Sequence, residues 1–159
     1  MAKRSAVIRF DNDFSKKLAA LGAHSDEILE KAMTAGAEAA LPIVRAELQG
    51  AISGDTKGPS RSTGELVDSL GISPVMVDNK GVTNVKIGFS EPRRHQYAAK
   101  KKRSYYTVTN AMIANVLEYG KSGQPPRPWL KRAKTKAAKV FRGKAQEIID
   151  KEVEKLLIF

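Results

Sequence analysis

The stretch NVLEYGKSGQPPRPWLKRA, Asn115 to Ala133, decides how this chain is read. An apolar segment runs into a glycine, then a proline cluster, then the only tryptophan of the sequence. Upstream, AMIANVLEYG (Ala111–Gly120) has helical spacing, with Ile113, Val116 and Leu117 on one face and Gly120 as the stop. Downstream, Pro128 suits a first helical turn, where its missing donor costs nothing. The helical pattern then continues, so the C-terminal helix is placed at about 128–158. Trp129, Ala133, Ala137, Val140, Phe141, Ile148, Val153 and Leu156 form its apolar stripe. Trp129 and Leu130 are expected to enter the core together, with stiff prolines holding the join between two packed helices. A helix of that length is about 45 Å long at 1.5 Å per residue, so one end is expected to project.

Working outward, Ala6–Phe10 alternates like a short strand. Phe14, Leu18 and Leu21 then share a helical face that Gly22 ends. Ser25 is placed as the cap of a longer helix, with Asp26 and Glu27 at its positive end. Ile28, Leu29, Ala32, Met33, Ala40, Ile43, Val44, Leu48 and Ile52 are its apolar positions, and Pro42 predicts a bend over 38–42. Ser53–Gly64 and Glu91–Ser104 read as mobile loops. Between them, Ser62 or Thr63 caps a short helix carrying Leu66 and Leu70. A hairpin follows, with Val75 and Val77, a turn at Asp78–Gly81, then Val85, Ile87 and Phe89, one face buried and one wet. Tyr105 and Tyr106 are read as strand residues in the core. The fold class expected is α+β: a small antiparallel β-sheet packed against two long α-helices, with mobile loops, as one domain over residues 1–159.

The chain holds 159 residues, is 42% hydrophobic and has a formal net charge of +11. Between Glu91 and Lys144 there are fifteen Lys and Arg against two Glu, a net of +13, so the remainder carries −2. A cationic third of this kind suits an acidic protein surface or nucleic acid. RRHQYAAKKKRSYY mixes cations with aromatics, as phosphate contact and base stacking require, but matches no recognition module. Arg93, Arg94, Lys100, Lys101, Lys102, Arg103, Lys131 and Arg132 are the interaction candidates.

Catalysis finds little to work with. No cysteine is present, which excludes disulfides, thiolate chemistry and Cys-based zinc. His24 and His95 stand far apart without a partner at diagnostic spacing. Glu65 and Asp68 could share a helical face, a common arrangement on solvated surfaces. No phosphate-binding glycine loop occurs. The expectation is a chain without enzyme activity, with no catalytic residue, cofactor or metal site. No apolar run approaches the roughly 18–20 residues of a membrane helix, and no signal-peptide core follows the first cations.

The order of motifs resembles a known family. STGELVDSL followed by ANVLEYG and then QPPRPWLKRA is similar to the tail completion, or head–tail joining, neck proteins of long-tailed bacteriophages, including the related minor tail proteins of lambda-like siphophages. Phe14, Leu18, Leu21, Arg45, Thr63, Gly64, Leu66, Ser69, Glu118, Gly120, Pro125, Pro128, Trp129, Leu130 and Ala133 carry the match, in order over nearly the whole chain. The chain departs from the pattern in Trp129, where Phe is commoner, and in the KKKR run that lengthens the loop before Tyr105.

The resemblance implies a virion assembly protein that completes the tail and joins it to the head as part of a neck ring. Implied partners are further copies in a hexameric ring, the tail terminator, the head connector and packaged DNA, with no membrane. The implied location is the virion neck, and the host cytoplasm during assembly. The alternative is a basic nucleic-acid-binding protein using the same cationic third. Glu118 stands out as a carboxylate in a turn among cations, able to pair with Arg127 or Arg132 or to cap a backbone.

Overall fold

The computed structural model describes residues 19, 21–54, 62–91 and 108–158. The strand at Ala6–Phe10, the Phe14–Leu18 turn, most of both expected loops, and Tyr105 and Tyr106 lie outside the described residues.

The chain is α+β. In order come α1 (Ser25–Ser53), α2 (Glu65–Asp68), β1 (Leu70–Ile72), β2 (Met76–Val77), β3 (Thr83–Asn84), β4 (Ile87–Phe89), α3 (Asn110–Tyr119) and α4 (Leu130–Leu157). Residues 19 and 21–23 are helical and His24 is a turn residue before α1, so the break expected at Gly22 falls two residues later. Ser25 is not the cap of α1: His24 occupies that position without a side-chain cap, and the Ser25 hydroxyl donates back to the Gly22 carbonyl at 2.9 Å. Asp26 and Glu27 do sit in the first turn, where the helix dipole favours them. Pro42 is exposed on the outer side, and the helix runs through it unbroken.

Helix α4 does not project. Its 28 residues, about 42 Å, run antiparallel along the 29 of α1. Glu47 near the end of α1 meets Arg132 at 3.2 Å and also Lys136, both near the start of α4. Lys31 near the start of α1 approaches Glu152 near the end of α4 at 3.8 Å. Between these ties α1 presents Ala32, Gly36, Ala37 and Ala40, all buried. Small residues let the helix axes close in. At Gly36 an added Cβ would lie 2.9 Å from the Phe141 ring and 3.0 Å from the Phe141 carbonyl oxygen. Val140, expected in the stripe, is exposed, whereas Ala133 and Ala137 are buried.

β1 to β4 form one hairpin in two ladder segments. Leu70 pairs Phe89 and Ile72 pairs Ile87; further out, Met76 pairs Asn84 and Val77 pairs Thr83. Three residues, 73–75, therefore face two, 85–86, which is a bulge. Pro74 sits in it, where a donor is not needed. The Asp78 carboxylate closes the turn, accepting from the N–H of Lys80 at 2.8 Å and of Val82 at 2.9 Å. The expectation of one buried face fails at the tip: Met76, Val77 and Val82 are 47%, 67% and 55% exposed. The base is held to α1 by Arg45, whose guanidinium donates to the Leu70 carbonyl at 2.8 Å.

Two predictions come from the paired helices. Gly36→Ala should destabilise the fold, because overpacking costs about 1–3 kcal/mol and outweighs the gain in helix propensity. Gly143→Ala, where an added Cβ meets nothing within 4 Å, should stabilise by up to about 1 kcal/mol. Urea denaturation of the two variants checks the opposite signs. The Glu47 carboxyl is held below its ordinary value of 4.5 by the Lys136 hydrogen bond first, with the Lys136 and Arg132 charges adding to it against desolvation. A lowered carboxylate contributes stability above its unfolded pKa, and loses it as pH falls through the folded value. Glu47→Gln should thus lower the melting temperature at pH 7, and the difference should shrink in melts at about pH 3.

Candidate functional site

The site is built from the join that opened the sequence. Thr109 caps α3 by accepting from the Met112 N–H at 3.1 Å, and the Glu91 carboxylate accepts from Ala111 at 3.0 Å. Asn110 is buried and donates to the Ser90 carbonyl at 3.0 Å, tying α3 to the end of β4. Helix α3 ends at Gly120, with φ of 74°. Only glycine suits it: a Cβ there would stand 2.7 Å from the Gln124 carbonyl oxygen and 2.8 Å from the Pro126 nitrogen. Lys121 and Gln124 exchange backbone hydrogen bonds of 2.9 and 2.8 Å around Gly123. The chain is thereby turned so that the Arg127 N–H donates to the Leu117 carbonyl at 2.7 Å.

Two charged side chains lock this turn. One Glu118 oxygen accepts from the N–H of Trp129 at 2.7 Å and of Leu130 at 2.8 Å. Of the openings left by sequence, backbone capping is the one realised: Glu118 supplies the missing acceptors at the start of α4 and places negative charge at its positive end. Arg127 does the converse for α1, donating to the Ala51 and Ile52 carbonyls at 3.3 and 3.5 Å. Arg132 is engaged with Glu47 instead. Helix α4 begins at Leu130, with Trp129 as its N-cap residue, so Pro128 lies just before the helix and not in its first turn.

Trp129 is 3% exposed. Its ring meets Phe89 edge-on, with centroids 6.4 Å apart and an interplanar angle of 71°. Leu48, Ala51, Leu66, Ala114, Leu117 and Ala133 complete the core cluster around it. Burial of the ring contributes on the order of 2–3 kcal/mol. Leu130 does not follow it inward, being 46% exposed.

The Thr63–Ser69 motif has a structural reading too. Gly64, at φ +80°, is the N-cap residue of α2, not Ser62 or Thr63, and its N–H donates to the Ser62 hydroxyl at 3.3 Å. Leu66 is buried in the core. The Ser69 hydroxyl donates to the Leu66 carbonyl at 2.9 Å, and the Ser69 carbonyl accepts from Ser90 at 2.7 Å, starting the β1–β4 ladder. Glu65 is buried and Asp68 exposed.

Beside Trp129 a groove of about 580 Å³ opens between the hairpin base and the helices. Val44, Ile87, Phe89, Ala111, Ala137 and Phe141 are among its walls. Among its described lining residues Asn115, Lys134 and Glu118 carry polar side chains besides the Trp129 indole, and Glu118 is occupied in capping. Its described lining is mostly apolar and brings no free acid–base pair together. Among the described residues no group of three or more His, Asp or Glu is placed to hold a metal ion, and no helix is long and apolar enough to cross a membrane. His24 lies on the surface 3.5 Å from Glu27.

Of the interaction candidates, Arg93, Arg94 and Lys100–Arg103 lie outside the described residues. Lys131 and Arg132 are exposed on α4, and Arg132 is tied to Glu47. Lys134 and Lys139 extend the same exposed cationic surface, and among the described residues no ion pair engages them or Lys131. Comparison with family models, with curated proteins and with solved structures gives no match for this chain.

Removing the cap tests the site. Glu118→Ala should cost about 1–2 kcal/mol in thermal or urea denaturation. Glu118→Gln should cost less, because an amide oxygen still accepts while the charge at the helix start is lost. An unchanged melting temperature in both variants would remove Glu118 from the join.

Proposed function

We propose that this chain is a virion assembly protein of a tailed bacteriophage, of the tail completion or head–tail joining class, acting without chemistry on a substrate. One observation carries the reading. Two of the stretches behind the resemblance, the E-x-G of Glu118–Gly120 and the P-x-x-P-W-L of Pro125–Leu130, are two halves of one device: Glu118 from the first caps the helix that the second begins. A shared local mechanism is stronger support than matching letters. The T-G-x-L-x-x-S motif adds a second coherent part, since its Gly64, Leu66 and Ser69 have backbone or core roles next to the same cluster. In this reading a small sheet is covered by two long helices, and the unit repeats as a ring in the neck between head and tail. Partners would be the tail terminator, the head connector and further copies of itself, with packaged DNA inside the ring.

A second reading is favoured by the exposed Lys131, Lys134 and Lys139, which suit a nucleic-acid phosphate backbone. Deletion of this reading frame from a phage genome that carries it separates the two. Full heads and finished tails should accumulate unjoined, and the wild-type chain supplied in trans should restore particles. A chain with Lys100–Arg103 neutralised should fail to restore them while keeping its melting temperature. Normal particles from the deletion would overturn the assembly reading. Tight, steeply salt-dependent binding of duplex DNA by the isolated monomer would favour the nucleic-acid reading.

A further inference from the structure

The hairpin tip and the groove are both apolar surfaces among the described residues. At the tip Met76, Val77 and Val82 stand largely in solvent beyond the bulge, on a turn that Asp78 holds rigid. At the groove the walls are apolar, and Lys134 lies at the edge. Met76, Val77 and Val82 are three of the eight large apolar residues exposed among the described residues, and clustered exposed apolar side chains mark sites of association. One surface is convex and narrow, because paired strands lie only about 5 Å apart. The other is concave and holds about 580 Å³.

We infer that the hairpin tip of one copy inserts into the groove of the next. The occupant of the groove is a second copy of this chain, and Val77 is its central side chain. Asp78 at the corner of the tip spends one oxygen on the turn, which leaves the other to face Lys134 at the groove's edge. The two surfaces are different, so the contact is heterologous: repeated, it closes into a ring or runs into a filament. A tip of this size makes a small interface, below the roughly 1,200 Å² of stable pairs. Single contacts are then weak, and closure makes the assembly cooperative. The net charge of +11 opposes self-association. Salt screens that repulsion and leaves apolar contact intact, so association should strengthen with salt, opposite to nucleic-acid binding. The inference deepens the ring-subunit reading and rests on it only for closure of the ring.

The absence of cysteine gives a clean test. Val77→Cys and Ala111→Cys variants are mixed as full chains under mild oxidation, with Ser25→Cys, remote on α1, replacing Ala111→Cys as control. The expected result is a 77–111 disulfide between copies in clear excess over the 77–77 and 77–25 products. In sedimentation, the average mass of the wild type should rise with protein and salt concentration. Val77→Asp should lose that rise at an unchanged melting temperature. Equal cross-linking at all pairs, a dominant 77–77 product, or undiminished association of Val77→Asp would each overturn the inference. A wild type that stays monomeric throughout would overturn it as well. The neck-protein reading is judged separately by the particles that the deletion produces.

Discussion

The join between α3 and α4 is organised by a single carboxylate. Glu118 closes the end of α3 onto the beginning of α4, and without an acceptor there the part-buried Trp129 amide would lose its partner beside an apolar core. The neighbouring parts serve the same closure. Gly120 lets the chain turn where a side chain would strike the Gln124 carbonyl, and Arg127 collects the last carbonyls of α1. Trp129 is fixed at its backbone by Glu118 and at its ring by Phe89. One connection thus sets the relative placement of α1, α3, α4 and the hairpin base.

The long helices obey a different constraint, that of close approach. Alanines and Gly36 on α1 leave little side chain to interdigitate, so the contact gains from proximity more than from bulk. Ion pairs at either end, Glu47 with Arg132 and Lys136, and Lys31 with Glu152, set the register. Exposed pairs of this kind add little stability each; their value is in choosing one alignment among several.

Much of this was legible in the residues. Periodicity placed α1, α3 and α4 within a few positions, and the alternation around Asp78–Gly81 gave the hairpin. The join was legible because glycine, proline and tryptophan have strong positional meaning. What failed depended on tertiary surroundings. Ser25 looked like a cap, yet its hydroxyl turns back to Gly22. Leu130 looked like core, but the turn that buries Trp129 points the next residue outward. Gly36 looked unremarkable, since its purpose depends on Phe141 more than one hundred residues away. The groove had no sequence signal, because alanine and valine walls read the same whether covered or open.

The bulge at Pro74 has a further consequence. Two-stranded ribbons leave backbone groups free along both margins, and crowded ribbons tend to zip into fibres. Along the first strand of this hairpin that route is obstructed twice. Arg45 already occupies the Leu70 carbonyl, and Pro74 has no amide hydrogen to offer. The charged, exposed Lys86 discourages approach from the other margin. These features oppose amyloid-like stacking of the hairpin, so that a neighbour meeting it would find side chains before main chain.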